Sequence, residues 1–81
     1  MKTKVLLFAN LKDRAGTREV ELDLPAQASA ADLKACLGAA YPALKPMLVT
    51  AIVAIDRVFA TSDTPIPPGV EIAVFPPVSG G

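Results

Sequence analysis

Alternating and continuous apolar stretches predict five short β-strands along the chain. Between Arg18 and Leu24 apolar and polar residues alternate, which predicts a strand with one solvated face. The first and last strand candidates are apolar on both faces, which is typical of strands inside a sheet. The predicted strands are residues 4–10, 18–24, 51–55, 58–60 and 70–75. Asp56-Arg57 predicts a turn between the third and fourth strands.

One amphipathic helix is predicted between the second and third strands. Ser29 followed by Asp32 resembles a capping box, with Asp in place of the usual Glu or Gln. Behind it an apolar stripe at helical spacing consists of Leu33, Cys36, Leu37, Ala40 and Tyr41. Pro42 ends the pattern. We expect Cys36 to be a small buried hydrophobic residue. Residues 12–17 form a polar connection that is long enough for one helical turn. Residues 43–48 are long enough for a second short turn.

The order strand, strand, helix, strand, strand, strand predicts an α+β fold. Its sheet is mixed, with about five strands and one main helix packed on one face. The ubiquitin-like β-grasp is the best match, because it places the first and last strands side by side in the centre, and both are strongly apolar. We expect residues 1–75 to form this domain and residues 76–81 to form an extended C-terminal tail.

The alternation within the central strands assigns side chains to the two faces of the sheet. The helix-facing set is predicted to be Val5, Leu7, Ala9, Val70, Ile72 and Val74. The opposite set is Leu6, Phe8, Ala73 and Phe75, with Phe59 joining it from the fourth strand. An apolar aromatic patch on an open sheet face indicates a protein interface. The alternative is that these phenylalanines fill a second, minor core.

Composition excludes several classes of chemistry. Eight Lys and Arg balance eight Asp and Glu, there is no His, and Cys36 is the single cysteine. A Cys/His zinc site, a His-based triad and an intrachain disulfide are therefore excluded. The zero net charge argues against nucleic-acid and membrane-surface binding. We expect no metal and no permanently bound cofactor. No segment resembles a signal peptide or a membrane span, so we expect a cytoplasmic protein.

The last seven residues are Phe-Pro-Pro-Val-Ser-Gly-Gly. The two prolines hold an extended course, and the six residues from Pro76 reach roughly 20 Å. The glycines leave the terminal carboxylate accessible to a narrow active site of another protein. An ionised carboxylate is unreactive as an acyl group unless it is activated, for example as a mixed anhydride with AMP. The chain has no Gly-rich phosphate-binding loop, so it is predicted to be a carrier or substrate of another enzyme.

The sequence resembles the small subunit of molybdopterin synthase, the MoaD family, over essentially its whole length. The matching stretches are residues 5–11, 15–17 and 41–42, and above all the Val-Phe-Pro-Pro-Val-Ser-Gly-Gly end at 74–81. The resemblance implies that an E1-like enzyme adenylates Gly81 with ATP. A sulfur donor such as a cysteine desulfurase or rhodanese then converts it to a covalent thiocarboxylate. The sulfur passes to cyclic pyranopterin monophosphate in molybdenum cofactor biosynthesis.

The same resemblance implies roles for individual residues. Gly81 holds the sulfur, and Gly80 gives clearance in the active-site channel of the large subunit. Contacts with the large subunit and the activating enzyme are implied for Phe8, Lys12, Phe59, Phe75, Pro76, Pro77 and Val78. The catalytic side chains are expected on the large subunit, in a heterotetramer of two small and two large subunits. Lys12 stands where Arg is common, and Asp56 where Asn is frequent.

Three other functions are compatible with these features. The chain could carry sulfur for another thiolated product of the thiazole type, although those relatives are usually shorter and lack the Phe-Pro-Pro exit. It could be a ubiquitin-like modifier whose terminal glycine is joined to lysines of target proteins. It could also be a plain binding module with an incidental Gly-Gly end.

Overall fold

Five strands form one mixed sheet in the computed structural model, which describes residues 1–77. The strands are β1 (Lys2–Leu7), β2 (Glu19–Asp23), β3 (Ile52–Ile55), β4 (Val58–Ala60) and β5 (Ile72–Phe75). Their order across the sheet is β2-β1-β5-β3-β4. Strands β1 and β5 run parallel, and the other neighbouring pairs are antiparallel. The structure thus confirms a mixed sheet with the first and last strands side by side in its centre.

The first strand ends earlier than the sequence pattern predicts. Phe8 is still extended, but Ala9 has φ 55° and starts α1 (Ala9–Ala15). The prediction that Ala9 lies on the helix-facing side of a strand is therefore wrong. Burial of Leu11 holds this segment against the core as a helix. Gly16 ends the helix in the left-handed conformation, where its lack of a Cβ removes the steric penalty.

Helix α2 (Ala30–Ala40) packs on one face of the sheet and begins with the predicted capping box. The Asp32 amide donates to the Ser29 hydroxyl over 3.3 Å, and the Ser29 amide donates to the Asp32 carboxylate over 2.9 Å. Leu33 and Leu37 of the predicted stripe are completely buried. Ala40, in contrast, is exposed, so this part of the stripe is wrong.

The chain after α2 folds back against it and changes which of its residues are covered. A 3-10 turn (Pro42–Leu44) leads into the short helix α3 (Lys45–Leu48). Gly38 is buried under α3, and a Cβ added there would lie 3.0 Å from Cγ of Lys45. Cys36 is half-buried and packs against the core. The buried face of α2 is therefore set by the covering segment as well as by its apolar stripe.

The main core lies between α2 and one face of the sheet. The strands contribute Val5, Leu7, Val20, Leu22, Val53, Ile55, Ile72 and Val74 to it. Val70 was predicted to lie in the last strand, but it precedes β5 and is half-buried. None of the helices within residues 1–77 has the length and apolar composition needed to cross a membrane.

A two-residue turn joins β3 and β4, as predicted. Asp56 and Arg57 have φ angles of 48° and 71°, which is the geometry of a type I′ hairpin turn. The Asp56 carboxylate accepts a hydrogen bond from the Glu71 amide over 2.9 Å, and the Asp56 amide donates to the Glu71 carbonyl over 2.8 Å. Asp56 therefore ties the hairpin to the segment that leads into β5.

Replacing Ser29 with Ala should lower the free energy of unfolding by about 1 kcal/mol, because the Asp32 amide loses its cap. Urea denaturation followed by circular dichroism measures this change. Ser29→Thr keeps the hydroxyl and is the matched control, with a much smaller effect expected. Equal losses in both variants would show that the capping box does not stabilise α2.

Candidate functional site

The face of the sheet opposite α2, here called the open face, has an apolar row across four strands. In strand order this row is Leu6 on β1, Ala73 on β5, Ala54 on β3 and Phe59 on β4, each in register with the next. Ala54 is only 4% exposed although it lies outside the main core, so neighbouring side chains of the open face cover it. Phe59, at the end of the row, is 76% exposed.

A second row lies beside the first and contains the other two phenylalanines. Their rings, Phe8 and Phe75, are stacked with centroids 4.9 Å apart and planes at 25°. Ile52 pairs with Phe75 across the sheet. The Phe8 amide donates to the Val74 carbonyl over 3.3 Å, which continues the parallel ladder by one residue. The two rows together, here called the open-face patch, bring the three predicted interface phenylalanines onto one surface.

The opposite end of the open face, along β2, is polar. Lys2 and Lys4 lie 3.7 and 3.9 Å from the carboxylates of Glu21 and Glu19, respectively. The Met1 ammonium lies 2.9 Å from the Asp23 carboxylate, and this contact holds the pKa of Asp23 below its ordinary value. These charges balance one another, whereas the apolar end of the face is the kind of surface that marks protein interfaces.

Lys12 lies at the edge of the open-face patch. It lines a groove of about 380 Å³ together with Leu6, Phe8, Arg18 and the acidic Glu19. The structure thus places Lys12 next to Phe8, which is necessary if both residues contact the same partner. Arg18 adds a second cation that is absent from the predicted set. Its place follows from the pairing of β1 with β2, in which the Leu7 amide donates to the Arg18 carbonyl over 2.8 Å.

The tail leaves the fold from the open-face patch. Phe75 is both the last residue of β5 and a member of the patch. Pro76 is half-buried and Pro77 is exposed, and neither belongs to a helix or strand. Val78, Gly80 and Gly81 of the predicted site lie outside the described residues, so their roles and the boundary between residues 1–75 and 76–81 stay predictions.

Substitutions should separate the open-face patch from the main core. Phe59→Ala should change the free energy of unfolding by no more than about 0.5 kcal/mol because the ring is exposed. Phe8→Ala should cost more than Phe59→Ala and less than Leu7→Ala, because the ring is 41% exposed and loses an aromatic pair worth about 0.5–1.5 kcal/mol in addition to its buried area. Leu7→Ala, the control in the main core, should cost about 2–5 kcal/mol. Urea denaturation measures all three, and a Phe59→Ala cost like that of Leu7→Ala would favour a second structural core.

Comparison with known sequences places these features in a family. Residues 5–81 match the ThiS family. The molybdopterin synthase sulfur carrier subunit of Chlamydomonas reinhardtii is 35% identical over 83 residues, covering 100% of both chains. That of Dictyostelium discoideum is 35% identical over 81 residues, covering 96% of this chain and 94% of that protein.

Solved structures show the same fold. SAMP1 from Haloferax volcanii superposes with a TM-score of 0.86 at 31% identity and covers 100% of both chains. A complex of subunits 1 and 2 of the molybdopterin-converting factor from Helicobacter pylori matches with a TM-score of 0.67 at 22% identity, again over 100% of both chains. These matches confirm the ubiquitin-like β-grasp prediction.

Proposed function

The chain belongs to the ThiS family, and we propose that it is the sulfur carrier subunit of molybdopterin synthase. The observation that supports this most directly is the continuity from the open-face patch through Phe75 into Pro76 and Pro77. A partner that covers the patch receives the tail at the same time. Two relatives at 35% identity over nearly their whole length are sulfur carrier subunits of this enzyme.

The reactive group in this proposal is the carboxylate of Gly81. It attacks the α-phosphorus of ATP in an E1-like enzyme and releases pyrophosphate. The terminal sulfur of a persulfide, held by a donor such as a cysteine desulfurase or rhodanese, then displaces AMP and forms an acyl disulfide. A thiol attacks the donor's sulfur of this acyl disulfide, so the donor leaves as a disulfide and the thiocarboxylate is released. The product is a terminal thiocarboxylate, in which one oxygen has been replaced by sulfur. The chain needs no bound cofactor of its own, because ATP is the substrate of the activating partner.

The large subunit completes the proposed enzyme. It covers the open-face patch and takes the tail into its active site, where Gly80 gives clearance and its own side chains supply catalysis. Two transfers of sulfur to cyclic pyranopterin monophosphate build the dithiolene. We expect a complex of two small and two large subunits, as the family resemblance implies, and the pairing of subunits 1 and 2 in the Helicobacter pylori structure supports a large-subunit partner. The free thiol of Cys36 suits a cytoplasmic setting.

Two specific observations favour other uses of the same activated glycine. The likeness to SAMP1 at 31% identity favours a modifier, in which a lysine amine of a target protein attacks the Gly81 adenylate. The ThiS family match favours a carrier that supplies sulfur to a thiazole-type product. All three functions share the adenylation of Gly81. They differ in what accepts the activated group: a pterin or a thiazole precursor accepts the sulfur, whereas a lysine of a target protein accepts the acyl group.

Incubation of the full chain with an E1-like partner, ATP and a sulfur donor should raise its intact mass by the difference between sulfur and oxygen. Deletion of Gly81 should abolish this gain and leave the urea unfolding midpoint unchanged. Ser79→Ala, which keeps both glycines, is the matched control and should still gain sulfur. An unchanged mass of the full chain under conditions that thiolate a known carrier would contradict the proposal, and conjugates with lysines would favour the modifier.

Phe59→Asp should weaken binding to the synthase large subunit at least about 30-fold, because a charge would be buried within an apolar contact. Val58→Asp is the matched control. Val58 is the next residue, it is 68% exposed, and it pairs with Ile55 on the other face of the sheet. Titration calorimetry measures both affinities. If both variants lose the same affinity, the large subunit does not bind specifically to the open face.

A further inference from the structure

The two edges of the sheet differ in how they are protected against pairing with another strand. The β2 edge presents Glu19, Glu21 and Asp23, all acidic, and such charges discourage strand addition. The β4 edge presents Val58, Phe59 and Ala60, with no charge. Val58 and Phe59 are 68% and 76% exposed on opposite faces of the same strand. Strand β4 therefore lacks the charge that protects β2, and its short length of three residues is the protection that it retains.

The hairpin turn fixes which backbone groups of β4 point outward. Ile55 and Val58 flank the two-residue turn, so they form the first hydrogen-bonded pair. Hydrogen-bonded and non-hydrogen-bonded pairs alternate along an antiparallel ladder. Phe59, opposite Ala54, therefore directs both its N–H and its C=O away from the sheet. The backbone of Thr61 is already used locally, since its amide donates to the Thr64 hydroxyl over 2.9 Å and its carbonyl accepts from the Thr64 amide over 3.0 Å.

We propose that β4 pairs with β4 of a second copy of this chain, antiparallel and centred on Phe59. A residue on a two-fold axis faces itself, so the two Phe59 residues exchange two N–H···O hydrogen bonds. Val58 of each copy then lies opposite Ala60 of the other. The two Phe59 rings meet on the open face, and the apolar row from Leu6 to Phe59 continues into the second sheet.

The backbone of Phe59 favours the antiparallel orientation, because its outward N–H and C=O then both pair with one residue of the other copy. Arg57 precedes the strand and Asp63 follows it, and both are exposed. Neither makes an ion pair within residues 1–77. In the two-fold arrangement the Asp56-Arg57 turn of one copy approaches the loop with Asp63 of the other, and the opposite charges within the turn leave the orientation to the backbone pairing. The zero net charge of the chain adds little repulsion between copies.

The pairing between the two copies of β4 is weak, and it forms only when the chain is not bound to a partner protein. Two hydrogen bonds and a three-residue strand bury less than the roughly 1,000 Å² that a stable interface needs, so the dimer forms only at high concentration. This pairing does not depend on the proposed function. If that function holds, the large subunit contacts Phe59 as well, and its binding dissociates the dimer.

Sedimentation velocity of the full chain tests the proposal at concentrations between about 10 µM and about 1 mM, the range of dissociation constants expected of a small interface. The sedimentation coefficient should rise toward that of a dimer. Phe59→Pro removes the outward N–H without breaking the ladder to β3, and it should stay monomeric. Phe8→Ala, which trims the open-face patch away from β4, should still dimerise. A wild-type monomer throughout, or loss of the dimer in Phe8→Ala alone, would overturn the proposal.

A disulfide trap tests the register and does not depend on the proline variant folding. With Cys36 replaced by Ser, Phe59→Cys places two thiols on the two-fold axis, at a Cα separation of about 5.5 Å that a disulfide spans. Val58→Cys in the same background separates them by about 8 Å, which is out of reach. Oxidation should cross-link the first variant and spare the second. Equal cross-linking, or none in either variant, would contradict pairing centred on Phe59.

Discussion

The parallel pairing of β1 with β5 is the contact on which the other features depend. It joins the first strand of the chain to the last, with Val5 beside Ile72 and Leu7 beside Val74. Because the same ladder continues to the Phe8 amide, the rings of Phe8 and Phe75 stack on the open face. The pairing therefore supplies the centre of the core on one face and the centre of the proposed interface on the other, and it fixes where the tail begins.

Because α2 covers only one side of the sheet, the side chains that stabilise the fold and those of the proposed partner surface lie on opposite faces. Leu33 and Leu37 close the main core, so the side chains that hold the fold together lie away from the open-face patch. Phe59 is exposed, so we expect it to contribute little to folding. In a carrier this separation has a use, because partners can bind and release the open face without disturbing the core. The neutral, largely apolar patch also suits successive partners that recognise the same surface.

Much of the fold follows from the sequence because its signals are local. The Ser29–Asp32 capping box, the Asp56-Arg57 turn and the alternation in β2 each depend on neighbouring residues, and the structure confirms all three. The wrong predictions lie where contacts between residues distant in the sequence determine the local structure or the burial. Ala9 leaves the strand because Leu11 is drawn into the core as a helix. On α2, Ala40 of the predicted stripe is exposed, and Gly38 is buried instead because α3 folds over it. The open-face patch was predictable from alternation, whereas Arg18 joins the groove only through the pairing of β1 with β2.

The absence of His and the single half-buried Cys36 are consistent with a reactive group that is not a side chain. In the proposed function it is the backbone carboxylate of Gly81, and specificity comes from the surface that delivers it. Single-turnover synthesis tests this claim most directly, with purified thiocarboxylated chain, the synthase large subunit and cyclic pyranopterin monophosphate. The account predicts that two chains lose their sulfur for each molybdopterin formed and return to the carboxylate mass. Retention of the sulfur, or its loss without molybdopterin, would contradict it.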